Sequence, residues 1–282
     1  MINDIKSHYN KRPATTRRLG QKNVPHGPVR CYNNFVKASL LRRYLHVGDT
    51  LLDIACGSGG DLAKVQRCVS RYVGIDVAPG CIERAVGRAR SRHFEAAFFV
   101  IDARREFGLP ALRSSAAFDV CSCQLGPQFF CESEATLRVF VANVARVLRV
   151  GGVFLASMPD SAELERRSAD CLTREGRCEF GNAAYKVEYE AESGGGLAAW
   201  RRYDFSLPGC IEKCPEYVAP WREVRGVFEE AGFRLLERPP FLSYSRRDHD
   251  LQRQMHASGS MLPDAREICG LYVTFAFKFD PK

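Results

Sequence analysis

The chain has 282 residues, 45% hydrophobic and 26% charged. That is enough for one large domain with a core, or two small ones, and the balance is ordinary for a globular protein. No stretch approaches a membrane span and the opening "MINDIKSHYNKRPATTRRLG" has no apolar signal core, so a soluble intracellular protein with no membrane partner is expected.

The formal charge of +8 is local. Residues 1–45 carry ten Lys/Arg and a single acid, Asp4, so the other residues are close to neutral. Such an arm draws polyanions, RNA or DNA, by counterion release; the plainer alternative is a solvated tail. The twelve cysteines are scattered, several inside apolar runs such as "DVCSCQ", and are expected to be free thiols acting as small hydrophobes. Cys210 and Cys214 have no second Cys/His pair at zinc-finger spacing, so no metal site is expected.

In chain order, "NNFVKASLLRRYL" (33–45) has helical periodicity, with Phe35, Val36, Leu40, Leu41, Tyr44 and Leu45 on one face. "TLLDIA" (50–55) reads as a buried strand, and "GDLAKVQRCV" as a helix opened by glycines. "RYVGID" (71–76) is a second strand and "GCIERAVGRARSR" a second helix. "AAFFVID" (96–102) and "FDVCSCQ" (118–124) are the third and fourth strands. "SEATLRVFVANVARVL" is a long amphipathic helix, and "VGGVFLASMP" a fifth strand entered through a Gly-Gly turn. Strands alternating with helices at this spacing mean a parallel sheet covered on both faces, an α/β protein. After Pro159 the rhythm changes. "AYKVEYEAESGGGLAAWRRYDFSL" reads as a hairpin around a glycine turn, inserted at about 180–208 into one domain. A helix, "PWREVRGVFEEAG", follows, and "FRLLE" and "GLYVTFAFKF" close the chain as strands that can pair antiparallel. The organisation expected is a basic arm over 1–30 and a single domain over 31–282.

In open parallel sheets the ligand lies beyond the carboxyl ends of the strands, where strand order reverses. The residues there are the loop 55–60, then Asp76, Asp102 and Gln124 at three strand ends. A carboxylate ending the second strand suits the two hydroxyls of a ribose, and a carboxylate and an amide further along suit an adenine amino group. A dinucleotide would rest its pyrophosphate on the helix N-terminus, but "ACGSGGD" puts Asp61 there, where it would repel phosphate. S-adenosylmethionine has no phosphate and carries a sulfonium cation, so it fits better than a nicotinamide cofactor.

Seven stretches resemble, in order, the messenger RNA cap guanine-N7 methyltransferases. They are "YNNFVKASLL", "LLDIACGSGGDLAKV", "YVGIDVAPGCIERAVGRAR", "CSCQ", "VLRVGGVFLASMPDSAEL", "CPEYVAP" and "GLYVTFAF". The resemblance runs from about His8 almost to the C-terminus. It implies the class I methyltransferase fold: a Rossmann-like, mostly parallel sheet with an antiparallel C-terminal edge strand and an inserted hairpin. It implies S-adenosyl-L-methionine as cofactor, held by Lys37, Asp53, Ala55, Gly57, Asp76, Asp102, Gln124 and Phe129. It implies a cap site formed by Asn33, Asn34, Lys64, Arg88, Gln128, Pro159, Glu216 and Tyr272. Lys64 and Arg88 would meet the cap phosphates, Glu216 the guanine N1 and N2 hydrogens, and Pro159 and Tyr272 would wall the base. The implied partners are the capped 5′ end of mRNA and, by family analogy, RNA polymerase II or other capping enzymes, with the nucleus as compartment.

The sequence departs from the family at four places. The first glycine of the family's "GCGKGG" is Ala55 and its lysine is Ser58. The family's His-Tyr pair is Gln128-Phe129, preceded by an unusual Gly126-Pro127. Gln128 is expected to donate to guanine O6 as a neutral amide. Taken singly, Lys37, Lys64 and Arg88 would be solvated helix faces, Glu216 a loop acid and Tyr272 a core residue. Their joint order carries the resemblance. Guanine N7 is an unprotonated lone pair and the cofactor methyl sits on a cationic sulfur, so no general base is expected and catalysis is positioning. Two rivals remain from the sequence alone. One is a methyltransferase acting on a small molecule or another RNA position; the other is a silent cap- or RNA-binding relative.

Overall fold

A computed structural model describes residues 6, 9–10, 27–92, 94–108, 117–169, 178–189, 200–257 and 261–282. Most of the basic arm and the "SGGG" turn lie outside the described residues.

Helix α1 (Gly27–Tyr44) opens the described fold, six residues earlier than its periodicity predicts. Pro28 sits in its first turn, where a missing N–H costs nothing. The added turns bury Val29 and Tyr32, whose hydroxyl donates to the Phe241 carbonyl (3.0 Å). Strand β1 (Thr50–Ile54) leads to α2 (Leu62–Val65), which is only four residues long. The helix expected beyond it is replaced by a turn. There the Gly48 N–H donates to the Cys68 carbonyl (2.7 Å), and Ser70 to Asp49 (2.8 Å). Next come β2 (Arg71–Asp76), α3 (Pro79–Arg90), β3 (Ala97–Val100), β4 (Phe118–Gln124), α4 (Glu134–Val147), β5 (Leu148–Pro159) and α5 (Ser161–Ala169).

Four short strands follow, β6 (Cys178–Asn182), β7 (Tyr185–Tyr189), β8 (Arg201–Leu207) and β9 (Ile211–Val218). They form one antiparallel sheet in that order, so the expected hairpin β7–β8 is the central pair of a larger insert. "CPEY" is not a loop after it but the outer strand β9. Pro215 is tolerated there because an edge strand need not donate on both sides. Helix α6 (Trp221–Glu230), β10 (Phe233–Glu237), α7 (Tyr244–Arg247), α8 (His249–Gln254), α9 (Pro263–Cys269) and β11 (Tyr272–Phe279) complete the chain.

The main sheet runs β10-β11-β5-β4-β1-β2-β3. β1 pairs parallel with both β2 and β4, and β4 with β5; β11 runs antiparallel between β5 and β10. The strands of the parallel part are continuous apolar runs because both faces are covered. One face packs on α4 and α6 through ring contacts, Phe140 of α4 edge-on to Phe154 of β5 (centroids 5.9 Å) and Phe228 of α6 stacked on Phe277 of β11 (4.5 Å). Leu40 and Leu41 of α1, Leu62 of α2 and Ala89 of α3 form a cluster with Leu51, Tyr72 and Leu155. The first half of α1 packs on the second sheet instead: Tyr32, Phe35 and Val36 join Tyr185, Val187, Tyr203 and Phe205. Cys56, Cys81, Cys121, Cys123, Cys131 and Cys269 are buried free thiols, but Cys178 is disulfide-bonded, against expectation.

Strand order reverses between β2–β1 and β1–β4, so the crevice at the carboxyl end of β1 is the place the topology offers to a ligand. Two loops open there with backbone in the left-handed region: Ala55 (φ 56°) and Gly57 (φ 53°) after β1, and Leu125 (φ 57°) after β4.

Candidate functional site

A cavity of about 1670 Å³ fills that crevice and extends to the second sheet. The loop after β1, the ends of β2 and β4, the inner face of α1, Glu216 on β9 and Tyr272 on β11 all line it. Every site residue expected from the sequence lies on its wall except Pro159. Pro159 ends β5 where the chain turns into α5, and lines a separate small recess with Ser161, Ala219 and Trp221.

The glycine-loop end is set by carboxylates. Asp76 Oδ2 accepts from the Gly57 N–H (2.8 Å) and Oδ1 from Ala78 (2.9 Å), which fixes the carboxylate at the cavity edge. Burial raises its pKa, against these backbone bonds. Asp102 lies two residues past the end of β3, in a turn. Both its oxygens face Arg104, with Nε and Nη2 each at 3.1 Å. Asn143 of α4 holds that turn by donating to the Ala103 (3.2 Å) and Arg105 (2.8 Å) carbonyls. Gln124 is held by its own sheet: Nε2 donates to Ser122 Oγ (3.1 Å), and Oε1 accepts from Ser157 (2.9 Å).

Asp61 does not repel anions as the sequence suggested. Lys37 (2.9 Å) and Lys64 (2.6 Å) both pair with it, and Lys64 also reaches Asn34 Oδ1 (3.0 Å). Burial raises the Asp61 carboxyl, but the two ammonium groups outweigh that and hold it below the usual range. Asp53, fully inside, is pushed the other way by burial and by the Asp61 charge, against a hydrogen bond from Tyr72 (2.6 Å). Lys37 and Lys64 thus share the charged Asp61 carboxylate, with Asp53 as the next acid behind it.

The departures from the family pattern have local answers. Arg84 Nε donates to Ser58 Oγ (2.9 Å), so a guanidinium stands beside loop position 58, where the resemblance implied a lysine. Arg84 also donates to the Tyr9 carbonyl (2.9 Å), and the Tyr9 ring meets Phe129 edge-on at 6.1 Å. A Cβ on Gly126 would lie 3.0 Å from the Ala55 methyl and 2.9 Å from Cys123 Sγ. The extra methyl at 55 is therefore accommodated by a residue without one at 126.

The far end of the cavity holds a buried acid. Glu216 is 3% exposed; its Oε2 accepts from the Tyr203 hydroxyl (2.6 Å), and Oε1 lies 3.4 Å from Gln128 Nε2. Tyr203 and Glu216 are direct partners across β8 and β9. Burial pushes the Glu216 carboxyl up to about 7, the two hydrogen bonds working against it. Gln128 Nε2 also donates to the Leu125 carbonyl (3.1 Å), so both its hydrogens are committed. The expected donation to guanine O6 is not available in this arrangement. Gln128 Oε1 is buried with no hydrogen-bond partner.

Sequence reasoning missed Asp61 as an ion-pair centre, Tyr203, Tyr9, Arg84 and Arg104. Tyr203 could have been found from the alternation of "RYDFSL" against "CPEYV" once the two were paired. Arg104 is only two residues from Asp102 and Lys64 three from Asp61, within local reach; Tyr9, Arg84 and the Lys37–Asp61 pair depend on contacts between distant segments. Among the described residues no group of three or more His, Cys, Asp or Glu could hold a metal ion, and no helix is long and apolar enough to cross a membrane.

The chain is 31% identical to mRNA cap guanine-N(7) methyltransferase 1 of Oryza sativa subsp. japonica, over 97% of this chain and 80% of that protein. It is 30% identical to mRNA cap guanine-N(7) methyltransferase of Schizosaccharomyces pombe, over 97% and 81%. The fold is that of an S-adenosylmethionine-dependent methyltransferase from Clostridium acetobutylicum (TM-score 0.55, 14% identity, covering 99% of each chain). The mRNA (guanine-N(7))-methyltransferase domain matches residues 2–279, and the chain belongs to that family.

Proposed function

We propose that this chain transfers a methyl group from S-adenosyl-L-methionine to N7 of the guanine that caps mRNA. The observation that carries the reading is a single cavity with complementary ends: a ribose-type carboxylate, Asp76, at one, and a desolvated acceptor, Glu216, at the other. The residues present fit the cofactor. Asp76 has lone pairs left to accept from two ribose hydroxyls, Lys37 has N–H groups to donate to a carboxylate, and the left-handed backbone at Ala55 and Gly57 brings main chain close to the ligand. When bound, the cofactor supplies an electrophilic methyl on a sulfonium.

The protein's part is positioning and charge. Glu216, held by Tyr203, accepts from guanine N1–H and N2–H and gains attraction as the base becomes cationic. Lys64 and Arg88 face the triphosphate, and Tyr272 and Phe129 give apolar walls. No described histidine lines the cavity, and none is needed, because N7 requires no deprotonation. In this reading the capped 5′ end of mRNA is the substrate, and RNA polymerase II or other capping enzymes in the nucleus would present it.

Tritiated S-adenosylmethionine with GpppG-RNA, followed by cap analysis, tests the activity. Label in N7-methylguanine is expected; cofactor binding without transfer would make the chain a silent relative. Asp76→Ala should abolish S-adenosylhomocysteine binding in calorimetry with the fold retained. Unchanged binding would move the cofactor elsewhere.

A further inference from the structure

Most charged groups on the cavity wall have a protein partner. Lys37 and Lys64 share Asp61, Arg104 faces Asp102, and Arg84 is held by Ser58 and Tyr9. Five arginines on the wall differ, Arg30, Arg42, Arg67, Arg88 and Arg92, and three of them feel one another's charge. Arg30 is exposed on α1, Arg92 is exposed just after α3, and Arg88 lies partly buried on α3; all three line the cavity. None has an ion pair with a carboxylate among the described residues. Arg88 feels the charge of both Arg92 and Arg30, and burial together with those neighbours holds its guanidinium below the usual range.

Like charges gathered without a counterion destabilise a fold, so the arrangement makes sense where a polyanion supplies the missing charge. The guanidinium fork matches phosphate oxygens in pairs, which a protein ammonium does not. The position of the group narrows the polyanion. It resides on the wall of the cavity that would hold the cap, on the α1–α3 side, continuous with Lys64. A chain whose guanine reaches Glu216 and whose triphosphate passes Lys64 and Arg88 would leave by way of Arg30 and Arg92.

Resting on the functional reading above, we propose that Arg30 and Arg92 bind RNA phosphates downstream of the cap triphosphate. The RNA body, and not the cap alone, then contributes to affinity. An acidic protein face is the competing occupant; the shared cavity favours RNA.

The test compares Arg30→Gln/Arg92→Gln with the natural chain on two substrates, a capped single-stranded RNA and the GpppG dinucleotide. The preference in kcat/KM for capped RNA over GpppG should fall roughly tenfold or more in the double variant, the scale of two charge-assisted contacts. The slope of log K against log salt for binding the capped RNA should fall by about 0.7 for each lost single-strand contact. Arg30→Lys/Arg92→Lys, which keeps the charge, should recover most of the slope but less of the preference. An unchanged preference and slope would overturn the proposal. So would an equal loss on GpppG, which would assign the pair to the triphosphate. Intact RNA binding with lost binding to polyglutamate would also overturn it and give the face to an acidic protein. If the natural chain methylates neither substrate, the functional reading fails, and the salt slope in direct RNA binding still decides the arginines.

Discussion

Ala55 holds a backbone conformation (φ 56°) that suits glycine. A Cβ in the left-handed region costs about 1–2 kcal/mol, partly offset by the entropy a glycine loses on folding. Ala55→Gly should therefore stabilise the protein by about 0.5–1 kcal/mol, read as a rise of roughly 1–4 °C in melting temperature. The contact across to Gly126 adds a coupling. Gly126→Ala should be more damaging in the natural chain than in the Ala55→Gly background, because one of its two close contacts is then gone. Additive melting shifts would show that the two positions are independent.

Glu216 makes a second prediction at this scale. Its folded pKa of about 7 exceeds the ordinary 4.5 because of burial. A raised carboxyl stabilises the fold fully below the unfolded pKa, and that contribution is lost as pH rises through about 7. The loss amounts to about 3 kcal/mol. Glu216→Gln, which does not titrate, should become progressively more stable than the natural chain between pH 4.5 and 7, with the gap largest above 7. Activity should move the opposite way. The ionised form is the one that accepts from guanine, so kcat/KM for GpppG should rise through about pH 7, and that limb should be missing in the variant. A flat profile would remove Glu216 from base recognition.

At the scale of elements, one side chain fixes the turn that presents Asp102. Asn143 spends both amide hydrogens on the Ala103 and Arg105 carbonyls, and its Oδ1 accepts from the Phe107 N–H (3.4 Å). Asn143→Ala should cost about 2–3 kcal/mol in urea unfolding, since buried carbonyls lose their donors. It should also weaken S-adenosylhomocysteine binding; tight binding with lowered stability would confine Asn143 to a structural role.

The main strands were legible because parallel, doubly covered strands are continuous apolar runs. β1, β2, β4 and β5 appear within a residue or two of their expected places, apart from the earlier start of β5. The second sheet was only half legible. Its β7–β8 pair alternates clearly, but "CEFGN" shows little alternation, and Pro215 makes β9 look like a turn when only an edge position permits it. Strand ends located Asp76 and Gln124 on the cavity wall. The long-range partner Lys37 of Asp61 comes from packing that residue order does not show, while Arg104, two residues from Asp102, was within local reach. Pro159 ends β5 as expected and pairs directly with Tyr272, but it does not itself line the cavity.

At the scale of the molecule, α1 belongs to two cores. Tyr32, Phe35 and Val36 pack on the inserted sheet, while Leu40 and Leu41 pack on the main one. The two sheets should therefore lose structure together, with near- and far-ultraviolet dichroism giving coincident urea transitions. Phe35→Ala should cost about 3–5 kcal/mol and shift both probes equally. Separate transitions would mean that the insert folds on its own.

The buried cysteines carry a further consequence. Burial lifts the thiols of Cys56, Cys121 and Cys123 well above their ordinary range, and those of Cys131 and Cys269 to about 12. Thiolate is the reactive form, so in the closed molecule these sulfurs are chemically silent. Cys56 sits in the 55–60 loop at the cavity wall, Cys121 and Cys123 in the main sheet, Cys131 just after the 125–130 loop and Cys269 at the end of α9, distributed across the fold like inert tracers. Modification by an alkylating reagent then requires opening, and each sulfur acts as a clock for its own region. The order in which the clocks run, with and without S-adenosylhomocysteine, would map which part of the molecule breathes first and how far an occupied site quiets the rest.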